Sequence, residues 1–128
     1  MGNVLVIDHN ADTAQAICRL LQQRGHTASI LDDSPRVLHW LDFHRPTPDV
    51  VVLDWMMPDM DGGEVLRLIK NHPAYHAMRI VIFSGAYEQK WATQARQLGV
   101  NDYLVKGTVT WNTVLQTVET LIQKQPPA

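Results

Sequence analysis

Four short apolar runs in this chain each end on a residue that can carry charge or donate a hydrogen bond. Val4-Leu5-Val6-Ile7 ends in Asp8, Val50-Val51-Val52-Leu53 in Asp54, Ile80-Val81-Ile82-Phe83 in Ser84, and Tyr103-Leu104-Val105 in Lys106. Asp54 is the most telling, because a carboxylate at the last position of a buried strand is costly unless its charge is used. If the four ends meet, they form one pocket able to accommodate a dianion, with Lys106 as its cation. An open parallel sheet brings strand ends together in this way, and α/β folds place their ligand sites at that edge.

The elements that would position these residues follow from the spacing of apolar and polar residues. Short β-branched runs alternate with longer segments of helical period, which argues for βαβ units and a parallel sheet. Strands are expected at about residues 3–8, 26–31, 49–54, 79–84 and 102–105. A first helix starts near Asp12, turns Ala14, Ile17, Leu20 and Leu21 inward, and stops at Gly25. Ser34 is expected to cap a second helix that has Pro35 in its first turn and Val37, Leu38 and Leu41 on its inner face. Gly62 and Gly63 precede a third helix carrying Val65, Leu66 and Ile69, which ends near His72-Pro73. A fourth spans about residues 88–98, with Gly99 as its stop. Trp111, Val114, Leu115, Val118, Leu121 and Ile122 are spaced for a fifth. The result is an α/β fold with a doubly wound five-stranded parallel sheet. Residues 1–124 read as one domain, and residues 125–128 as a tail or linker stub.

Composition limits the function classes. The chain has 128 residues, enough for one domain with one sizeable core. A formal net charge of -2 and the lack of a basic stripe argue against nucleic-acid binding through this domain. The single cysteine, Cys18, lies in an apolar helical pattern and reads as a buried structural thiol in a reducing compartment. The apolar runs are too short to span a bilayer and no leader pattern is visible, so a cytoplasmic location is expected. His72 and His76 have metal-like spacing, but Pro73 breaks any helix between them, and they read as loop residues. Asp59 and Asp61 shape the loop before the third helix.

Taken in order, the motifs resemble one family. V-V-V-L-D-W-M-M-P-D-M-D-G (50–62) is similar to the phosphorylation motif of two-component response regulator receiver domains. V-L-V-I-D-H-N-A-D (4–12) resembles their first strand and acidic turn, V-I-F-S-G-A (81–86) their switch segment, and N-D-Y-L-V-K (101–106) their lysine motif. The similarity covers essentially the whole chain. It implies a flavodoxin-like receiver fold with strand order 2-1-3-4-5 and a role in phosphorelay signal transduction.

The resemblance also implies roles for particular residues. Asp54 would accept a phosphoryl group from a histidine kinase or phosphotransfer protein, with Lys106 and Ser84 contacting phosphoryl oxygens and the backbone N–H groups of Trp55 and Ala86 holding the rest. Magnesium, or another divalent ion, would be held by Asp8, Asp54 and the backbone carbonyl of Met56. Ser84 and Tyr103 would act as the switch pair, altering a surface made of the fourth helix, fifth strand and fifth helix for a downstream protein or output domain. Trp91 and Trp111 fall in those helices and are expected to pack against the sheet. Trp55 is expected at the rim of the site. The implied activity is that of a phosphoacceptor switch rather than an enzyme, with at most self-phosphorylation and slow self-dephosphorylation, and a homodimer is compatible with it. No membrane partner is implied. No output domain is visible, so the protein either docks alone or is a segment of a longer chain.

Two positions depart from the family pattern. Receivers usually carry two adjacent acids after the first strand, and here the pair is Asp8-His9. His9 occupies the position whose carboxylate binds the metal directly. Imidazole suits zinc, nickel or copper better than magnesium, so weakened magnesium binding is expected. Gly107 stands where proline in a cis peptide is common, and a cis bond before glycine is unfavourable. The rival to a phosphoacceptor is therefore a pseudo-receiver that acts as a phosphorylation-independent interaction module. A haloacid dehalogenase-like phosphatase would need a second acid at Met56 and its nucleophile on the first strand, and this chain has neither.

Overall fold

The computed structural model describes residues 1–124; the expected tail at 125–128 lies outside them. Strands and helices alternate as β1 (Asn3–Ile7), α1 (Ala11–Gln23), β2 (Thr27–Leu31), α2 (Val37–Phe43), β3 (Val50–Leu53), α3 (Gly62–Lys70), β4 (Arg79–Ser84), α4 (Gln89–Gln97), β5 (Asp102–Val105) and α5 (Trp111–Gln123). The five strands form one sheet in the order β2-β1-β3-β4-β5, and every neighbouring pair is parallel.

The sheet is covered on both faces, as continuous apolar strands require. Alternation along each strand sorts the side chains. Leu5, Ile7, Val51, Leu53, Ile80 and Ile82 face a core shared with Val37 and Leu41 of α2, Val65, Leu66 and Ile69 of α3, and Ala95 of α4. Val4, Val6, Val50, Val52, Val81 and Phe83 face the other core, closed by Ala14, Ile17 and Leu21 of α1 and Val114, Leu115 and Val118 of α5. Cys18 is buried in that second core, and burial pushes its thiol pKa up, so the residue is an inert packing group.

The helix boundaries have local causes. The Asn10 side chain accepts from Thr13 N–H at 3.0 Å and caps α1, and Gly25 takes a left-handed φ of +88° just past its end. Asp61 caps α3 by accepting from Glu64 N–H at 2.9 Å. The expected cap at Ser34 is not formed. Ser34–Arg36 is a single 3₁₀ turn, and the Ser34 hydroxyl donates instead to the Met60 carbonyl at 2.9 Å, tying this turn to the loop before α3. His72 and His76 lie in the turn after α3, away from any helix. No helix among the described residues is long and apolar enough to cross a membrane.

Candidate functional site

The register of the sheet explains why four distant residues meet. Ile7 pairs with Leu53, so Asp8 and Asp54, each one residue beyond its strand, are neighbours. Asp54 N–H donates to the Ile7 carbonyl at 2.9 Å, which extends the ladder by one bond. Ser84 pairs with Val105, and Lys106 N–H donates to the Ser84 carbonyl at 2.8 Å. All four residues therefore emerge at the C-terminal edge of the sheet.

Lys106 closes the site. Its ammonium donates to Asp8 Oδ2 at 2.9 Å and lies 3.8 Å from Asp54 Oδ2. Asp8 Oδ1 accepts from Asn10 N–H at 2.8 Å. Asp8 and Asp54 are only 3% and 4% exposed, so their charges are poorly screened by water. One ammonium thus faces two buried carboxylates. Burial pushes the Asp54 pKa above its ordinary range and the Asp8 charge adds to this, while the Ser84 hydroxyl and Lys106 ammonium act in the opposite direction. The Lys106 ammonium also sits 5.6 Å from the centroid of the Phe83 ring, within cation–π range.

His9 leans over the same carboxylate, with Nδ1 3.4 Å from Asp54 Oδ2 and half of its side chain exposed. One donor atom each from Asp8, His9 and Asp54 lie within 4.8 Å of one another. Met56 follows in the turn after β3, its side chain half exposed.

The Ser84 side chain is buried, and its Oγ accepts from Ala86 N–H at 3.2 Å. The Tyr103 hydroxyl donates to the Ala86 carbonyl at 2.7 Å. The Tyr103 ring lies between Trp55 and Tyr87, with centroids 6.2 and 5.7 Å away. Burial, with the Asp54 charge second, pushes the Tyr103 phenol up to about 12, so it stays a neutral donor at neutral pH.

One expected placement changes, and two residues join those that shape the site. Trp55 is not at the rim; it is 4% exposed and belongs to the core under α3. Gly62 has a role that the sequence reading missed: a Cβ there would lie 2.5 Å from the Asp54 carbonyl oxygen, so only glycine lets α3 start against the end of β3. Asn10, which both caps α1 and bonds Asp8, was also missed. Its type and its place before an apolar helical pattern were the available signal. The Lys106–Gly107 peptide is trans, as expected without proline, and Gly107 adopts φ +85°. Trp91 packs against the core, whereas Trp111 meets Phe83 edge-on at 5.9 Å and remains 45% exposed.

The sequence pattern of the response regulator receiver domain matches residues 4–119. The chain belongs to that family. Among its relatives, the probable methanogenesis regulatory protein FilR2 of Methanothrix harundinacea is 30% identical over 122 residues, covering 91% of this chain and 78% of that protein. The phosphate regulon transcriptional regulatory protein PhoB of Klebsiella pneumoniae is 25% identical over 103 residues, 80% of this chain but only 44% of PhoB. This receiver domain therefore spans less than half the length of that regulator. A response regulator receiver protein from Pseudomonas putida superposes with a TM-score of 0.86 at 27% identity, covering 93% of this chain and 96% of that one. Receiver domains are signalling switches of two-component systems, and they bind magnesium through acidic residues. The donor set here fits a divalent cation, with two buried carboxylates and an imidazole converging; the nitrogen donor makes it a poorer match to magnesium than an all-oxygen set.

Proposed function

We propose that this receiver domain accepts a phosphoryl group on Asp54 from a histidine kinase or phosphotransfer protein, and that the modification switches a surface made of α4, β5 and α5. The observation that carries the reading is the Lys106 ammonium, 2.9 Å from Asp8 and 3.8 Å from a buried Asp54 that it only partly compensates. A carboxylate and a phosphoryl group repel, so transfer needs a fixed cation beside the nucleophile. One Asp54 oxygen attacks phosphorus, the P–N bond to the donor imidazole breaks, and the released nitrogen takes up a proton, leaving an acyl phosphate on Asp54. Asp8, Asp54 and the Met56 carbonyl would hold a divalent ion, which would supply further positive charge to the phosphoryl oxygens.

Ser84 and Ala86 are coupled in this reading. When the Ser84 hydroxyl turns to a phosphoryl oxygen, its Oγ leaves Ala86 N–H, which is freed for the same phosphoryl group. The Tyr103–Ala86 hydrogen bond transmits the rearrangement to β5, as a population shift between two packings driven by the roughly −1.5 to −2 charge of the phosphoryl group. Trp55 N–H completes the phosphoryl contacts.

Incubation with acetyl phosphate and a divalent ion should add one phosphoryl group by intact mass, and Asp54→Asn should abolish the addition. Loss should then be slow, because neither the Met56 nor the Ala86 side chain can orient water. Replacing Met56 with Asn and Ala86 with Glu should speed dephosphorylation on the order of tenfold; an unchanged rate would count against that explanation.

His9 supports a second reading, the pseudo-receiver. Its imidazole lies 3.4 Å from Asp54 Oδ2 at the position where the family pattern has a metal-binding carboxylate, and the loss of that carboxylate removes attraction for magnesium. Absence of modification at every metal concentration, with recovery in His9→Asp, would select this reading.

A further inference from the structure

We infer that His9 makes the Asp8–His9–Asp54 cluster a site selective for a first-row transition dication, zinc in particular, over magnesium. The inference builds on the proposed function, because it concerns the ion that serves the same site.

The charge balance disfavours a purely electrostatic ion. Asp8 and Asp54 contribute two negative charges and Lys106 removes one, since its ammonium is 2.9 Å from Asp8 and 3.8 Å from Asp54. Any dication entering here sits close to that ammonium. Magnesium gains little from imidazole, loses its water reluctantly and depends on oxygen charge, so a site with one net negative charge holds it weakly. Zinc and nickel gain a strong bond to an imidazole nitrogen, which the Lys106 charge offsets less.

The geometry suits such a bond. His9 Nδ1 and Asp54 Oδ2 are 3.4 Å apart. Two ligands bonded at about 2.1 Å to one ion lie about 3.0 to 3.4 Å apart, so these two atoms are already within reach of a shared ion. The Asp8 carboxylate completes the trio within 4.8 Å and is already held in place by Asn10 N–H. His9 is half exposed, so an ion can reach it from solvent and keep water as a further ligand.

The test is calorimetric titration of Mg2+ and Zn2+ into the wild type, His9→Ala, His9→Asp and Asp54→Asn, with no phosphoryl donor present. The chain carries six histidines, so zinc binding at other places is whatever survives in His9→Ala. The expected result is a zinc-to-magnesium affinity ratio at least about tenfold higher in the wild type than in His9→Asp, with the His9 ring ¹⁵N resonances shifting on zinc addition. An equal ratio in the two proteins, zinc binding unchanged in His9→Ala, or no ion bound by the wild-type site would each overturn the inference. The proposed function fails separately: zinc bound through His9 while Asp54 stays unmodified by acetyl phosphate with any ion would sink phosphorylation and leave the selectivity standing.

Discussion

Two charged clusters lie at opposite edges of the sheet and solve the same problem in opposite ways. At the C-terminal edge, two carboxylates share one ammonium, and burial holds the Asp54 pKa up. At the N-terminal edge, the single carboxylate of Glu119 on α5 is met by two partners. Arg24 donates to it at 2.7 Å and His26 Nε2 lies 2.9 Å from its other oxygen. Gly2 N–H donates to His26 Nδ1 at 3.0 Å, so the ring's proton is on Nε2, directed at Glu119. The His26 hydrogen bond, more than any other contact, holds the Glu119 pKa below its ordinary range. A carboxylate matched by the Arg24 charge and by the His26 N–H clasps α5 to the starts of β1 and β2 and is structural. Under-compensated charge costs stability and leaves attraction available for something absent from the chain itself.

The largest way to break the contrast is Lys106→Met. It strands two carboxylates that are 3% and 4% exposed, and should lower stability by about 3 kcal/mol at pH 7 in urea denaturation. The loss should shrink in acid as the carboxylates protonate. An unchanged stability would mean that water already compensates the pair.

Glu119→Gln should cost less, about 1 kcal/mol at pH 7. The sign of its pH dependence follows from the lowered pKa. Glu119 contributes stability above its ordinary value of 4.5, and that contribution disappears as pH falls through the lower folded-state value. The wild type and variant should therefore converge in acid, and a gap that persists there would show that packing, not charge, fixes the clasp.

The two clusters also differed in how legible they were. Asp8, Asp54, Ser84 and Lys106 announce themselves because each interrupts an apolar run, and parallel strands force the ends of such runs to one edge. The clasp has no such signal: residues 24, 26 and 119 are joined by side chains whose meeting depends on the packing of α5. The Ser34 hydroxyl was misread because its partner, the Met60 carbonyl, is 26 residues away and competes with the local cap. Trp55 was placed at the rim because it adjoins Asp54; in the fold, the chain turns toward α3 and packs the indole inward.

A ¹³C carboxyl NMR titration of the metal-free protein reads both clusters in one sample. The account predicts that Asp54 titrates above its ordinary 3.8 and Glu119 below its ordinary 4.5. The raised Asp54 value means that its contribution to stability is present below pH 3.8 and lost as pH rises through the folded-state value. An Asp54 that titrates at or below 3.8 would show Lys106 fully neutralising the edge, and would contradict the claim that charge is held there in reserve for a cation and a phosphoryl group.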